Sequence, residues 1–119
     1  MPNTPDYVLY TRAYAKGYTD CIGGLSMKES QIENRLVRMV RERGGLCYKF
    51  VSPSNPGVPD RIVITPCGKT IYVELKTEVG SLQRIQEWQI AEMRKRGADV
   101  RVIKGLDAAR AFVEEVMPQ

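Results

Sequence analysis

Residues 57–76 read Gly57-Val58-Pro59-Asp60-Arg61-Ile62-Val63-Ile64-Thr65-Pro66-Cys67-Gly68-Lys69-Thr70-Ile71-Tyr72-Val73-Glu74-Leu75-Lys76. Two β-branched runs, Ile62-Val63-Ile64 and Ile71-Tyr72-Val73, flank a turn that contains Pro66 and Gly68. Such a pattern predicts a β-hairpin. Folding it about the turn brings Asp60 close to Glu74. Glu74 and Lys76 are two apart, so they share one face of the second strand. Two acids and an amine then converge at the open end of the hairpin. Carboxylate oxygens suit a hard cation such as Mg²⁺, and an adjacent lysine suits a phosphate or a water. Symmetric pairing about a turn of six residues, Thr65 to Thr70, sets Arg61 rather than Asp60 opposite Glu74. A bend or one-residue bulge near Pro59 is then needed to bring Asp60 to the correct face.

Upstream, Ser26 to Arg43 carries Ile32, Leu36, Val37 and Val40 as one helical stripe. Ser26 with Glu29 forms a capping-box pattern, and Gly44-Gly45 ends the helix. Leu46 to Val51 reads as a strand. Ser52 to Pro59, with Pro53, Pro56 and Gly57, is a loop that delivers the chain to Asp60. Downstream, Ser81 to Arg96 is a second helix with Leu82, Ile85, Trp88 (or Gln89) and Met93 on one face. Ala98 to Ile103 is a short strand, and Gly105 to Val116 a third helix. The predicted order is helix, three strands, helix, strand, helix. That order defines an α/β domain with a mixed sheet between helices.

Asp60 followed fourteen positions later by Glu74-Leu75-Lys76 resembles the PD-(D/E)XK nuclease signature. The surroundings sharpen the likeness. Lys49-Phe50-Val51-Ser52-Pro53 leads into Gly57-Val58-Pro59-Asp60-Arg61, and Gly80 and Gln86 follow Lys76. The whole set resembles the VRR-NUC family, over roughly Lys28 to Val113. The resemblance implies a restriction-endonuclease-like core with the catalytic hairpin in the middle of the sheet. It also implies a metal-dependent DNA endonuclease using Mg²⁺ or Mn²⁺. Asp60 and Glu74, with the Leu75 backbone carbonyl, would hold the metal. Lys76 would orient the attacking water. A first-helix glutamate would complete the metal shell; Glu33 is preferred, with Glu29 as the alternate. Gln86 would hold Lys76 or a phosphate by hydrogen bonds. Small stand-alone members of phage type resemble four-way (Holliday) junction resolvases acting as homodimers. The rival readings are a restriction-like, flap or repair nuclease on the same fold, and a non-catalytic nucleic-acid-binding module. Retention of Asp60, Glu74 and Lys76 argues against the last.

Composition agrees with these expectations and narrows them. The chain has 119 residues, 43% hydrophobic and 27% charged, a balance that suits one globular domain. A net charge of +4 is compatible with a polyanionic partner. No histidine is present, which excludes histidine bases, histidine metal ligands and Ser-His-Asp triads. Hydrolysis by this chain must run on carboxylates, lysine and a metal, with no small-molecule cofactor. Cys21, Cys47 and Cys67 have no CxxC spacing, so reduced thiols in a cytoplasmic protein are expected, phage-encoded or bacterial. No apolar run approaches the ~20 residues of a membrane span.

Glu74 lies between Val73 and Leu75 in a strand that should be buried. A buried carboxylate is costly unless a cation pairs with it. Lys49, Ser52, Asn55 and Arg61 surround the site in sequence and are candidate DNA contacts. Arg84, Arg94, Lys95, Arg96 and Arg101 are candidates to extend a basic surface. Residues 1–26 hold four of the six tyrosines and fall outside the resemblance. They read as an N-terminal extension, either loosely ordered or an arm that packs on a partner, ahead of a nuclease domain at 27–119.

Overall fold

The computed structural model describes residues 27–119; the expectations for residues 1–26, including the Ser26 cap, lie outside the described residues. Helix α1 spans Glu29–Glu42, strand β1 Leu46–Lys49, β2 Arg61–Ile64 and β3 Thr70–Lys76. Helix α2 is Arg84–Lys95, strand β4 Val100–Lys104 and helix α3 Leu106–Val116. The four strands lie in the order β1-β2-β3-β4. The first three are antiparallel neighbours, and β4 runs parallel to β3. A parallel neighbour requires a crossover, and α2 supplies it. The predicted element order and the central hairpin are both present.

The register differs from symmetric pairing about six residues. Arg61 pairs with Val73 and Ile64 with Thr70. Beyond that ladder, Thr65 N–H donates to the Lys69 carbonyl at 2.9 Å, and Gly68 N–H to the Thr65 carbonyl at 2.8 Å. The turn is therefore the three residues Pro66-Cys67-Gly68. Gly68 has φ of +90°, the left-handed residue that closes such a loop. An odd loop shifts the pairing by one. Continued one step, the register sets Asp60 across from Glu74, so no bulge near Pro59 is required.

Alternation along β3 divides the molecule. Ile71, Val73 and Leu75 point to one face and are fully buried with Ile32, Leu36, Val40, Val63, Ile103, Phe112 and Val113. Helices α1 and α3 cover that face and pack on each other. Each such aliphatic or aromatic side chain contributes about 1.5–3 kcal/mol by leaving water. The opposite face carries Tyr72, Glu74 and Lys76. There α2 covers a smaller cluster of Ile90, Val100 and Val102, with Tyr72, Leu82, Met93 and Ala98 half-buried around it.

Helix ends depart slightly from expectation. The N-cap of α1 is Lys28, whose N–H donates to the Gln31 carboxamide at 2.7 Å. On α2 the predicted apolar face is rotated: Ile90 is buried, whereas Trp88 and Ile85 are exposed. Helix α2 also supports the loop 50–60. Gln89 donates to the Pro56 carbonyl at 3.1 Å. Gly57, at φ +89°, lies so close that an added Cβ would sit 2.8 Å from the Ile85 carbonyl oxygen. Only glycine fits there.

Candidate active site

Strand β2 ends at Arg61 because Pro59 cannot continue the ladder. By the register, Pro59 is the residue across from Leu75. A residue in an antiparallel hydrogen-bonded pair gives its N–H and its carbonyl to the same neighbour. Pro59 has no N–H to return. The Asp60 carboxylate instead accepts the Leu75 N–H, through Oδ2 at 3.0 Å. The Leu75 carbonyl, on the same side of β3, has no main-chain donor from Pro59. The Phe50 N–H donates to the Asp60 carbonyl at 2.9 Å and holds the chain as it leaves the sheet. The Pro-Asp pair thus ends a strand, orients a carboxylate and frees a carbonyl at one point.

Glu74 is 1% exposed. Its Oε2 accepts from Gln86 Nε2 at 3.0 Å and lies 3.8 Å from Lys76 Nζ. Its Oε1 is buried without a hydrogen-bond partner among the described residues. Burial, then the negative charge of Asp60, push the Glu74 carboxyl up to about 8; Lys76 opposes this, and Glu29 adds to it. An orphaned carboxylate oxygen facing further carboxylates is a costly arrangement. A divalent cation would relieve it, so the donor set fits Mg²⁺ or Mn²⁺.

Gln86 is at this site, but it holds Glu74 and not Lys76. Its Oε1 accepts the Gln83 N–H at 2.9 Å, which leaves Nε2 aimed at the strand. Glu33 is placed differently from the expectation. Arg61 Nε reaches its Oε2 at 2.7 Å, and Lys49 Nζ reaches the same oxygen at 3.2 Å. Burial alone would raise the Glu33 pKa, but these two hydrogen bonds outweigh it and hold the carboxyl below its ordinary range. Alternation along β2 explains the difference. Arg61 points to the α1 face and takes Glu33 with it, whereas Asp60 shares the face of Glu74. Glu29, in the first turn of α1, is the glutamate that feels the site. Burial and then Asp60 raise its pKa, with Lys76 opposing. Both glutamates lie on one helix face, so the helix period alone does not separate them. Among the described residues no group of three or more Asp, Glu, Cys or His side chains forms a complete metal cage. The candidate set is two carboxylates and a main-chain carbonyl, with Glu29 nearby.

The loop candidates are tied down locally. Asn55 Nδ2 donates to Ser52 Oγ at 2.9 Å and to the Pro53 carbonyl at 3.3 Å. Lys49 and Arg61 are the cations on Glu33. The expected basic surface is broken up as well. Arg94 donates to the Val100 carbonyl, Lys95 and Arg96 pair with Glu92, and Arg101 is buried against Asp99 and Glu115.

An Asp at a strand end, a Glu and a Lys two apart on the next strand, and a mixed sheet between helices define a PD-(D/E)XK-type core. The chain belongs to the VRR-NUC domain family, whose model matches residues 28–107. A solved structure called "VRR_NUC domain" superposes with a TM-score of 0.69 at 29% identity, over 75% of this chain and 97% of that one. Another, "VRR_NUC domain protein", has a TM-score of 0.65 at 15% identity, over 77% and 89%, and shares the fold. A curated relative named "Putative nuclease p44", from Acyrthosiphon pisum secondary endosymbiont phage 1, is 56% identical over 50 residues. That match takes in 42% of this chain and 54% of the relative, so the chain spans about half the length of the curated relative it matches. No helix among the described residues is long and apolar enough to cross a membrane.

Proposed function

We propose that this chain is a divalent-metal-dependent DNA endonuclease that hydrolyses phosphodiester bonds. One observation carries the reading: the Glu74 carboxylate is buried with an unpartnered oxygen beside Asp60 and within ion-pair distance of Lys76. Asp60, Glu74 and the Leu75 carbonyl would hold Mg²⁺ or Mn²⁺, with Glu29 as the additional carboxylate. Bound there, the ion supplies the Lewis acidity that makes water nucleophilic near neutral pH. The residues of the chain do the positioning. Asp60 is fixed by the Leu75 N–H, and Glu74 by the Gln86 amide. Lys76, 3.8 Å from Glu74, holds a positive charge where charge builds on the attacked phosphate. Its ammonium also orients the incoming water.

The finer reading is a four-way-junction substrate cut by a homodimer. One site of this kind cuts one strand. Paired cuts across a two-fold junction then need two sites related by the same symmetry. The test is incubation of the full chain with labelled four-way junction, flap and linear duplex, each with Mg²⁺, with Mn²⁺ and with EDTA. We expect metal-dependent cleavage, strongest on the junction. Equal cutting of linear duplex would favour the restriction-like alternative. Binding without cleavage under every metal condition would leave only a nucleic-acid-binding module.

A further inference from the structure

Strand β4 continues past the site and ends in Lys104. The parallel register pairs Lys76 with Lys104, as it pairs Glu74 with Val102. Partners in register share a face, so both ammonium groups leave the sheet on the side of the candidate site. Adjacent strands are about 4.8 Å apart, which sets two like charges side by side, an unfavourable arrangement without an anion between or above them. The two strand ends are locked together, since Gly105 N–H donates to the Lys76 carbonyl at 3.0 Å. Lys76 has Glu74 as a neighbour, whereas no ion pair among the described residues engages Lys104.

A cavity of about 290 Å³ opens at this place, lined by Lys76, Ser81, Leu82, Glu87, Val102 and Lys104. The two lysines and the Ser81 hydroxyl give it donors. Leu82 and Val102 form an apolar wall. Glu87 is exposed on α2, where water screens its charge. The cavity shares Lys76 with the candidate site and extends from it across one strand spacing. Successive phosphates on one nucleic-acid strand recur about every 3.4 Å along the helix axis. The phosphate-to-phosphate step along the backbone is longer than this axial rise, and the long, flexible Lys104 side chain, one strand spacing from Lys76, can span it.

We propose that this cavity is a second phosphate subsite and that Lys104 binds the DNA phosphate next to the one attacked. The proposal rests on the nuclease reading above. Lys104 is a positioning residue: it sets the register of the strand and does not touch the reacting atoms.

The experiment measures DNA binding without chemistry. Full-length wild type, Lys104→Met and Lys104→Arg are titrated into fluorescein-labelled duplex in EDTA, from low to moderate NaCl. Methionine keeps the aliphatic stem, so the fold is retained, and arginine keeps the charge. Lys69→Ala, at the turn end of the hairpin, controls for net charge. Each neutralised phosphate contributes about −0.9 to the slope of log affinity against log salt. Lys104→Met should flatten the slope by about that amount and weaken Kd about 3- to 10-fold. Lys104→Arg should restore both, and Lys69→Ala should leave the slope unchanged. In cleavage, Lys104→Met should raise KM and leave kcat within about threefold. A wild-type slope in Lys104→Met, or the same flattening in Lys69→Ala, overturns the subsite while leaving the nuclease assignment intact. Wild-type protein that neither binds nor cuts DNA overturns both.

Discussion

The two faces of strand β3 have opposite characters. On one side Ile71, Val73 and Leu75 are fully buried against α1 and α3, in an apolar cluster closed by Phe112. On the other, Tyr72, Glu74 and Lys76 meet a thin layer built around Ile90, Val100 and Val102. Seven consecutive residues thus serve both faces. The thick core holds the strand rigidly, and that rigidity lets the thin face keep a buried, incompletely paired carboxylate. Stability and chemistry are separated by a single peptide step. Neighbouring substitutions should therefore fail in different ways.

The largest effect tests that separation directly. Asp60→Ala and Glu74→Ala should lower cleavage by at least on the order of 10²–10³-fold while the protein stays folded. Leu75→Ala should destabilise by about 2–5 kcal/mol, through lost transfer energy and a cavity. It keeps the Leu75 carbonyl and the N–H that orients Asp60. Denaturant unfolding beside single-turnover cleavage separates the two outcomes. If Glu74→Ala unfolds as readily as Leu75→Ala, the two faces are not independent. If both carboxylate variants cut at the wild-type rate, the site is wrongly placed.

A smaller effect concerns pH. The Glu74 carboxyl is raised from 4.5 to about 8, first by burial and then by Asp60. Unfolded, it releases its proton near the ordinary value; folded and free of metal, it keeps it. Between these values the folded state binds the extra proton, so stability falls as pH rises through the window. Stability from this group is fully present below about 4.5 and lost above about 8. The total change is on the order of a few kcal/mol. In EDTA, the wild-type melting temperature should fall from pH 5 to pH 9 more steeply than that of Glu74→Gln. The amide should be the more stable protein at pH 9 and inactive in cleavage. Parallel melting curves for the two would show that Glu74 is not the strained group.

How far the sequence was legible follows the same division. Alternation at period two is a local property, so Glu74 and Lys76 on one face, and Leu75 on the other, could be read directly. The apolar stripe of α1 was equally plain. The register was not, because it turns on whether Pro66-Cys67-Gly68 or a longer segment forms the turn, and one residue decides which side chain faces Glu74. The choice between Glu33 and Glu29 turns on tertiary contacts that helix spacing does not carry. Glu29 and Glu33 are equivalent on the helix, and Lys49 and Arg61, arriving from β1 and β2, distinguish them. Gln86 was placed near the site by the family resemblance, but its partner depended on the cap that it makes with Gln83. Trp88 looked like core because α2 was read as an isolated amphipathic helix. In the fold, Ile90 takes the buried position, and the loop carrying Gly57 lies against Ile85.

The smallest expected effect probes how the thin face is braced. Among the described residues Gln86 makes no hydrogen bond to Asp60 or Lys76. It donates 3.0 Å to Glu74 Oε2 and accepts from the Gln83 amide, so it acts on the site through a carboxylate. Gln86→Ala removes both bonds and leaves Glu74 with less to fix its orientation. A net hydrogen bond to a charged group contributes roughly 1.5–3 kcal/mol. Only part of that should reach the transition state, since Lys76 still faces Glu74. The expected loss is about 10-fold in rate, with Mn²⁺ binding weakened to a similar degree. Gln86→Glu should be worse than alanine, because it sets a further carboxylate against Glu74. Titration of Mn²⁺ by calorimetry, run beside the cleavage assay, gives both numbers for each variant. If Gln86→Ala matches wild type in both, Glu74 is held by burial and Lys76, and α2 braces the loop at Gly57 without bracing the site.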